Sequence, residues 1–550
     1  MTIQTHLAAM ILFGFLYIPN ALAAPGTATV TEHVDSLVRQ QWQDYEVKPS
    51  RPATDGEWIR RVYLDVLGRI PSVSEYKAFT RNNKPDKKSQ LIDALLYDDR
   101  HTTEFARNWS TIWTNLLIGR GGGTERNSLI NREGMRKYLR DAFARNQSYD
   151  QMVVNLLTAE GTNKPGLANF NGATNFLSMK LADDATQATA DTSRIFLGKQ
   201  VQCTQCHDHP FNDWKQNQFW ELNSFFRQTV SLRRYDDAME MVSYVELANQ
   251  DFAGEGNTPD EAEVYFEVRD ATMKAAYPVF IDGQELENKS GRLEEVNRRI
   301  ELAKMVVESE EMPHAIVNRM WAHFFSQGFT TPVDDMGPHN PPTHPELLDF
   351  LAQQFTTESY DLRQLMKWIL NSEAYSLSSR MSKENSIDDP SKGERPLFSH
   401  YYVRQMRAEE LFDSLITATA ADRLEDKSKY EKTRRDWLQQ FVIAFGDDEG
   451  SESSTFNGTI TQALVLFNGD LTKTALSDKP NSLLHRVSNS SVSFDEKVNH
   501  LFVSALSRNA TKKEKQAAKQ LVRWRGGKTM EGLQDLWWAV LNSNEFILNH

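Results

Sequence analysis

Trp58-Ile59-Arg60-Arg61-Val62-Tyr63-Leu64-Asp65-Val66-Leu67-Gly68-Arg69-Ile70-Pro71-Ser72 is the stretch that sets the fold class. Counting from Trp58, the apolar residues Ile59, Val62, Tyr63, Val66 and Leu67 share one face of a helix. Gly68 stands where a helix closes in a left-handed cap, and Ile70-Pro71-Ser72 opens the next element. The same periodicity predicts helices over 89–97, 104–117, 134–157, 190–202 and 216–226.

Between about 230 and 287 the pattern changes to alternating and β-branched runs. These are Met241-Val242-Ser243-Tyr244-Val245, Val264-Tyr265-Phe266-Glu267-Val268 and Val279-Phe280-Ile281, the last followed by the turn pair Asp282-Gly283. The acidic stretch 249–263, with Gly, Pro and Asn, reads as an exposed loop. Helical periodicity resumes from 292 to about 375 and again over 403–420, while 380–397 and 447–457 read as polar connections. Three helices close the chain, two around 498–506 and 533–541, with a capping box at Thr511-Lys512-Lys513-Glu514 opening the one between. No internal repeat is visible. The expected fold is mainly α, with helical domains at 30–229 and 291–550 and a small β insert at 230–290.

The 550 residues are 40% hydrophobic and 25% charged, enough apolar material for a true core and too much for wholesale disorder. Lys plus Arg number 62 against 75 Asp plus Glu, and a net charge of −13 argues against a nucleic-acid partner, which is held by neutralising phosphates. Residues 8–18 (AAMILFGFLYI) form an eleven-residue apolar run, broken by Pro19-Asn20 and followed by the small-x-small Ala21-Leu22-Ala23. That pattern fits a signal peptide over 1–23, although the leading segment offers only His6 and no Lys or Arg. A membrane-anchored start or a buried helix is the alternative. No Cys follows the run, which excludes a lipoprotein signal, and no later segment is long and apolar enough to span a bilayer. The expected location is therefore periplasm, cell envelope or medium. The 119–123 stretch GRGGG lacks the Gly-Lys-Ser/Thr ending of a phosphate loop and reads as a flexible or close-packed connection.

Only two cysteines occur, and they sit three apart before a histidine: Cys203-Thr204-Gln205-Cys206-His207. An exported chain of this size with one close pair is no disulfide scaffold, so the pair needs a local explanation. Spacing i, i+3, i+4 puts two thiols and an imidazole on one face of a helical turn, as covalent attachment of haem c requires, with His207 as proximal iron ligand. Three other readings stand beside it. The cysteines could close a local disulfide, though no βαβ pattern surrounds them. The thiolates could join His207, Asp208 or His209 around a divalent metal such as Zn. Or the pair could be a structural element packing Pro210, Phe211 and Trp214. Met179, Met239 and Met241 are available as a sixth ligand, with no spacing rule to choose among them. Asp208 and His209 read equally as ligand supports or as members of a hydrogen-bonded loop.

A second constellation runs from Asn318 to Asp349, with His323, Asp334-Asp335, His339, His344 and Glu346. Such density of imidazole and carboxylate could form a metal or acid–base site, with His323, Asp335 and His344 as the candidates. The competing reading has Thr343 or His344 opening a helix from Pro345, with Glu346 favouring its dipole.

Taken together these motifs resemble a family of large secreted proteins abundant in planctomycetes, built from two paired domains. The first is domain of unknown function 1549, described as the planctomycete cytochrome-c-type domain, and the second is domain of unknown function 1553. The first-domain resemblance lies in Arg61 through Pro71, Asn108-Trp109, Leu156-Leu157-Thr158-Ala159-Glu160-Gly161, and Thr192 through Gly198 leading into Gln202 through Phe211. The second lies in Val317 through Phe325, Asn340 through Asp349, Thr461-Gln462-Ala463-Leu464, and Trp538 through Phe546. The resemblance implies an exported protein with haem at Cys203, Cys206 and His207. It also implies envelope or polysaccharide-related work, and a haem at the turn would call for a periplasmic redox partner. A non-haem, metal-dependent envelope enzyme and a partner-binding envelope protein remain the alternatives.

Overall fold

The structure is a computed structural model and describes residues 27–238, 240–421, 433–434, 436–439, 441–443, 469–480 and 482–550. The 1–23 signal segment, Met239, the 447–457 connection and Thr461-Gln462-Ala463-Leu464 lie outside the described residues. The fold is mainly α with small β elements, and no helix among the described residues is long and apolar enough to cross a membrane.

The deciding stretch forms the helix Asp55–Leu67. Thr54 caps its start by accepting from the Glu57 N–H, and Gly68 ends it at φ 72° with its N–H on the Leu64 carbonyl. A side chain at Gly68 would also bring its Cβ to 2.4 Å from Asn108 Oδ1, so glycine is required twice over. Ser72 and Glu75 then form a capping box at the start of Val73–Arg81. The expected box at Thr511 and Glu514 opens Lys512–Trp524, between Phe494–Leu506 and Thr529–Leu541.

Boundaries differ where a polar residue outweighs the apolar period. The single helix expected over 134–157 is two, Arg132–Ala144 and Tyr149–Thr158, because Asn146 turns the chain at φ 51° within Asn146-Gln147-Ser148. The helix expected over 190–202 is Thr186–Leu197, ended by Gly198 at φ 64°. The one expected over 216–226 is Gln216–Asn223, tightening to a 3₁₀ turn at Ser224–Phe226.

In the β region, Thr229–Tyr235 pairs antiparallel with Val242–Asn249, and Gly161–Thr162 from the preceding helical segment adds an edge to the latter strand. A second hairpin joins Val264–Glu267 to Met273–Ala276, burying Val264 and Phe266 while Tyr265 and Glu267 face out. The third expected strand is reduced to a bridge between Val279 and Glu285 around the Asp282-Gly283 turn.

The apolar core does not stop at residue 290. One cluster runs from Val30 to Tyr402, drawing Trp58, Trp109 and Leu157 together with Ile316, Trp321 and Leu351. A second gathers Leu64 and Ile70 with Met406 through Ile547. Each fully buried Leu or Phe contributes about 1.5–3 kcal/mol, against about 0–1 kcal/mol for an exposed ion pair, so these clusters hold the chain together. Helix Asp55–Leu67 serves both: Trp58, Ile59, Val62 and Val66 enter the first and Leu64 the second.

Between the clusters lies a buried polar network. Asp65 Oδ1 accepts from Arg404 at 2.9 Å and from Asn549 Nδ2 at 2.8 Å, while Oδ2 accepts from Tyr375 Oη at 2.7 Å. Arg404 also forks onto both oxygens of Glu410. Burial alone would raise the Glu410 carboxyl, but Arg404 and Arg407 hold it to about 2. Neighbouring Arg60 and Arg61 are fully buried and donate to the carbonyls of Ala505 and Phe546, and of Tyr375 and Leu377. Backbone oxygens left over at helix and turn ends thus hold two buried cations, whose Nε atoms have no hydrogen-bond partner.

Candidate functional site: a Cys-x-x-Cys-His turn at a seam

Gly198 is the entry to the site. Its carbonyl accepts from the Met336 N–H at 2.7 Å, and an added Cβ would meet Met336 Sδ at 3.1 Å and Ala315 Cβ at 3.3 Å. The segment before the cysteines is therefore pressed against the loop that follows helix Glu311–Phe325. Asp334 of that loop fixes the contact by accepting from Arg194 at 2.8 Å and Gln200 at 2.9 Å.

Gln202–Gln205 is a 3₁₀ turn, so Cys203, Cys206 and His207 do not share the regular α-helical face expected of them. Thr204 is the buried member, its hydroxyl donating to the Val201 carbonyl at 2.6 Å. Cys203, Cys206 and His207 are all exposed, and the two thiols are unjoined. His207 Nδ1–H donates to the Asp208 carbonyl at 2.7 Å, which leaves the Nε2 lone pair without a protein partner.

The turn is braced from below. Gln216 Nε2 donates to the carbonyls of Gln205 (3.3 Å) and Glu267 (2.9 Å), and Trp220 Nε1 donates to Gln205 at 3.1 Å. Trp220 stacks on Phe266 of the second hairpin, and Val201 and Phe219 form a small apolar cluster with Ala190. The β region thus supports the Cys-His turn.

Asp208 Oδ1 accepts from the Gln216 N–H at 3.0 Å, opening helix Gln216–Asn223, and its carboxylate pairs with Lys215 at 3.3 Å. The backbone hydrogen bond from Gln216 holds its carboxyl below the ordinary range. His209 Nδ1 accepts the N–H groups of Phe211 (3.3 Å) and Asn212 (3.2 Å), closing the loop that leaves Phe211 84% exposed. Both residues therefore shape the loop.

Of the second constellation, only part arrives here. Asp335 accepts from His339 Nε2 at 3.0 Å, and the His339 ring lies 6.4 Å from that of His209. His339 Nδ1 is buried without a hydrogen-bond partner. Nearby Lys199 is pulled below its ordinary range by burial, against the pull of Glu311 and Asp335. His339 is the residue that the candidate set of His323, Asp335 and His344 omitted. Its four-residue spacing from Asp335 was the available signal.

His323 and His344 go elsewhere. His323 Nε2–H donates to the Asp65 carbonyl at 3.1 Å, Arg407 lies 3.2 Å from Nδ1, and Trp109 packs on the ring. Burial, with Arg407 and Arg404 nearby, pushes it to about 3, so it is a neutral rivet between helices. His344 precedes Pro345 at the start of Pro345–Thr357 and packs against Phe329 and Phe398, with burial pushing it to about 3. Among the described residues no three His, Cys, Asp or Glu side chains converge to hold a metal ion. Met179 and Met241 are exposed.

A helical scaffold thus presents a solvent-facing Cys-x-x-Cys-His turn at the seam between its N-terminal and central segments. Residues 33–231 match PSCyt2, Protein of unknown function (DUF1549), and residues 298–522 match PSD1, Protein of unknown function (DUF1553). The chain belongs to the family that joins these two domains in this order. No curated protein and no solved structure matches it.

Proposed function

We propose that the protein is an exported c-type haem protein with an electron-transfer or redox role. The observation that carries this reading is the set of donors at the turn: two exposed, unjoined thiols three residues apart, beside an imidazole whose Nδ1 is occupied and whose Nε2 is free. Such a donor set fits haem c. Cys203 and Cys206 would hold it, each S–H adding across one vinyl C=C, so that an S–C bond forms and the proton goes to the other vinyl carbon. His207 Nε2 would face the iron. Bound haem supplies one-electron chemistry, and the chain's own contribution is orientation. Asp208 O fixes the His207 tautomer, and Gln216 and Trp220 hold the backbone between the cysteines. The apolar run and Ala21-Leu22-Ala23 support export, which puts the thiols where c-type attachment occurs.

The test is production in the periplasm of a host with cytochrome c maturation, followed by a visible spectrum and a pyridine haemochrome assay. A Soret band retained after denaturation is expected, and C203S/C206S should abolish it. Its absence, while a control cytochrome matures, removes the proposal. Metal analysis and thiol counting on the same sample would then separate a divalent-metal protein from one with a local disulfide.

A further inference from the structure

A concavity lined by none of the Cys-His turn residues lies between helix Asp99–Ile118, helix Arg132–Ala144 and helix Ala408–Thr419. Its volume is about 160 Å³, below the roughly 300 Å³ at which sites for drug-sized molecules begin. Gly68 and Asn108 line one side, and the close packing of those two residues keeps that wall bare of a larger side chain.

Four guanidinium groups face this space: Arg107, Arg136, Arg140 and Arg434. Three have carboxylate partners. Arg434 pairs with Asp413 at 2.6 Å, Arg107 approaches the same carboxylate at 3.6 Å, and Arg140 pairs with Glu133. The remaining lining carboxylate, Glu409, is taken by Arg120 at 3.0 Å. Arg136 is left over. Its Nε is buried with no hydrogen-bond partner, and its guanidinium forms no ion pair among the described residues.

A half-buried cation without a partner is costly, and in most proteins a carboxylate or a carbonyl supplies the missing contact. Arg60, Arg61, Arg298 and Arg299 all follow that rule here through backbone oxygens. The Nε atoms of Arg60, Arg61 and Arg299 are also buried without a partner, but their terminal nitrogens donate to carbonyls; Arg136 makes no side-chain hydrogen bond or ion pair among the described residues, and it stands on the wall of a cavity. Burial and the nearby charges of Arg140 and Arg434 lower its hold on its proton, against the opposing pull of Glu133 and Glu409. A planar five-donor fork next to open volume matches the two-oxygen edge of a carboxylate, phosphate or sulfate group.

We propose that this cavity binds a single oxyanion group, with Arg136 as the residue that grips it and Arg140 and Arg434 as flanking charges. The group is carried either by a free inorganic ion or by an acidic sugar, two sources with the same chemistry at Arg136. The site is independent of haem attachment at Cys203 and Cys206.

Isothermal titration of the full chain, at constant ionic strength, with sulfate, phosphate and glucuronate tests it. Saturable binding of at least one is expected, and whether an inorganic ion or the acidic sugar binds more tightly identifies the source. R136Q should weaken that binding at least tenfold, and R136K should restore part of it. E133Q, at an exposed carboxylate that competes for Arg140, should strengthen it several-fold and supplies a second readout if R136Q does not fold. No saturable binding of any of the three, unchanged binding in R136Q, or weaker binding in E133Q would overturn the proposal.

Discussion

The Asp65 network and the Cys203–His209 turn are both dense in residues able to do chemistry, yet they treat their polar groups oppositely. Asp65 is buried and accepts from Arg404, Asn549 and Tyr375; His323 nearby has partners at both ring nitrogens. At the turn, two thiols and one imidazole nitrogen face solvent, and the partnered atoms are those that fix the backbone. A polar group with all its bonds made within the protein specifies the fold. One left with an unused lone pair or thiol on the surface is available to a ligand. Residue type alone does not separate the two.

The sharpest way to break this contrast is D65A, which leaves Arg404, Asn549 and Tyr375 facing a buried void. Removing one partner of a buried pair costs about 3–5 kcal/mol, so urea denaturation should show a loss of that size. A loss below about 1 kcal/mol, the range of an exposed pair, would place Asp65 outside the structural class.

Acid comes next. His323 and His344 are held to about 3 in the folded protein, against an ordinary value of about 6.5 in the unfolded chain. Between those values the unfolded chain binds more protons, so stability is complete above about 6.5 and falls with decreasing pH. Each histidine contributes a slope of at most about 1.4 kcal/mol per pH unit below 6. Urea midpoints at pH 7 and pH 5 should differ accordingly, and H323N should flatten the dependence. Glu410, held to about 2, adds a further loss below about pH 4.3.

The smallest effect is expected at the turn itself. Without haem, C203S/C206S should shift stability by no more than about 0.5 kcal/mol, as surface substitutions do. A larger shift would mean that the thiols serve the fold, and would join the two regions into one class.

Much of the helical architecture was legible because local signals agreed with one another. Gly68, Ser72 with Glu75, and Thr511 with Glu514 mark helix ends by backbone geometry that needs no tertiary partner. What escaped depends on distant contacts. Gly161–Thr162 is a strand only because Val242–Asn249 arrives beside it, and the continuity of the core past 290 rests on pairs such as Trp109 with Phe324. At the site, the Cys-His motif was evident from spacing, but the partition of histidines was not. His323, His339 and His344 look alike in sequence, and only packing buries the first between Trp109 and the Asp65 network, sends the last against Phe329 and Phe398, and sets His339 opposite His209.

The core that runs from Val30 to Tyr402 bears on what happens when the chain is cut. Separated in the gap between 231 and 298, the front half would show water the faces that cover Trp109 and Leu157. The rear half would do the same with Ile316, Trp321 and Leu351. Either piece made alone would expose apolar surface that the other covers. The two matched segments, 33–231 and 298–522, thus share one apolar core.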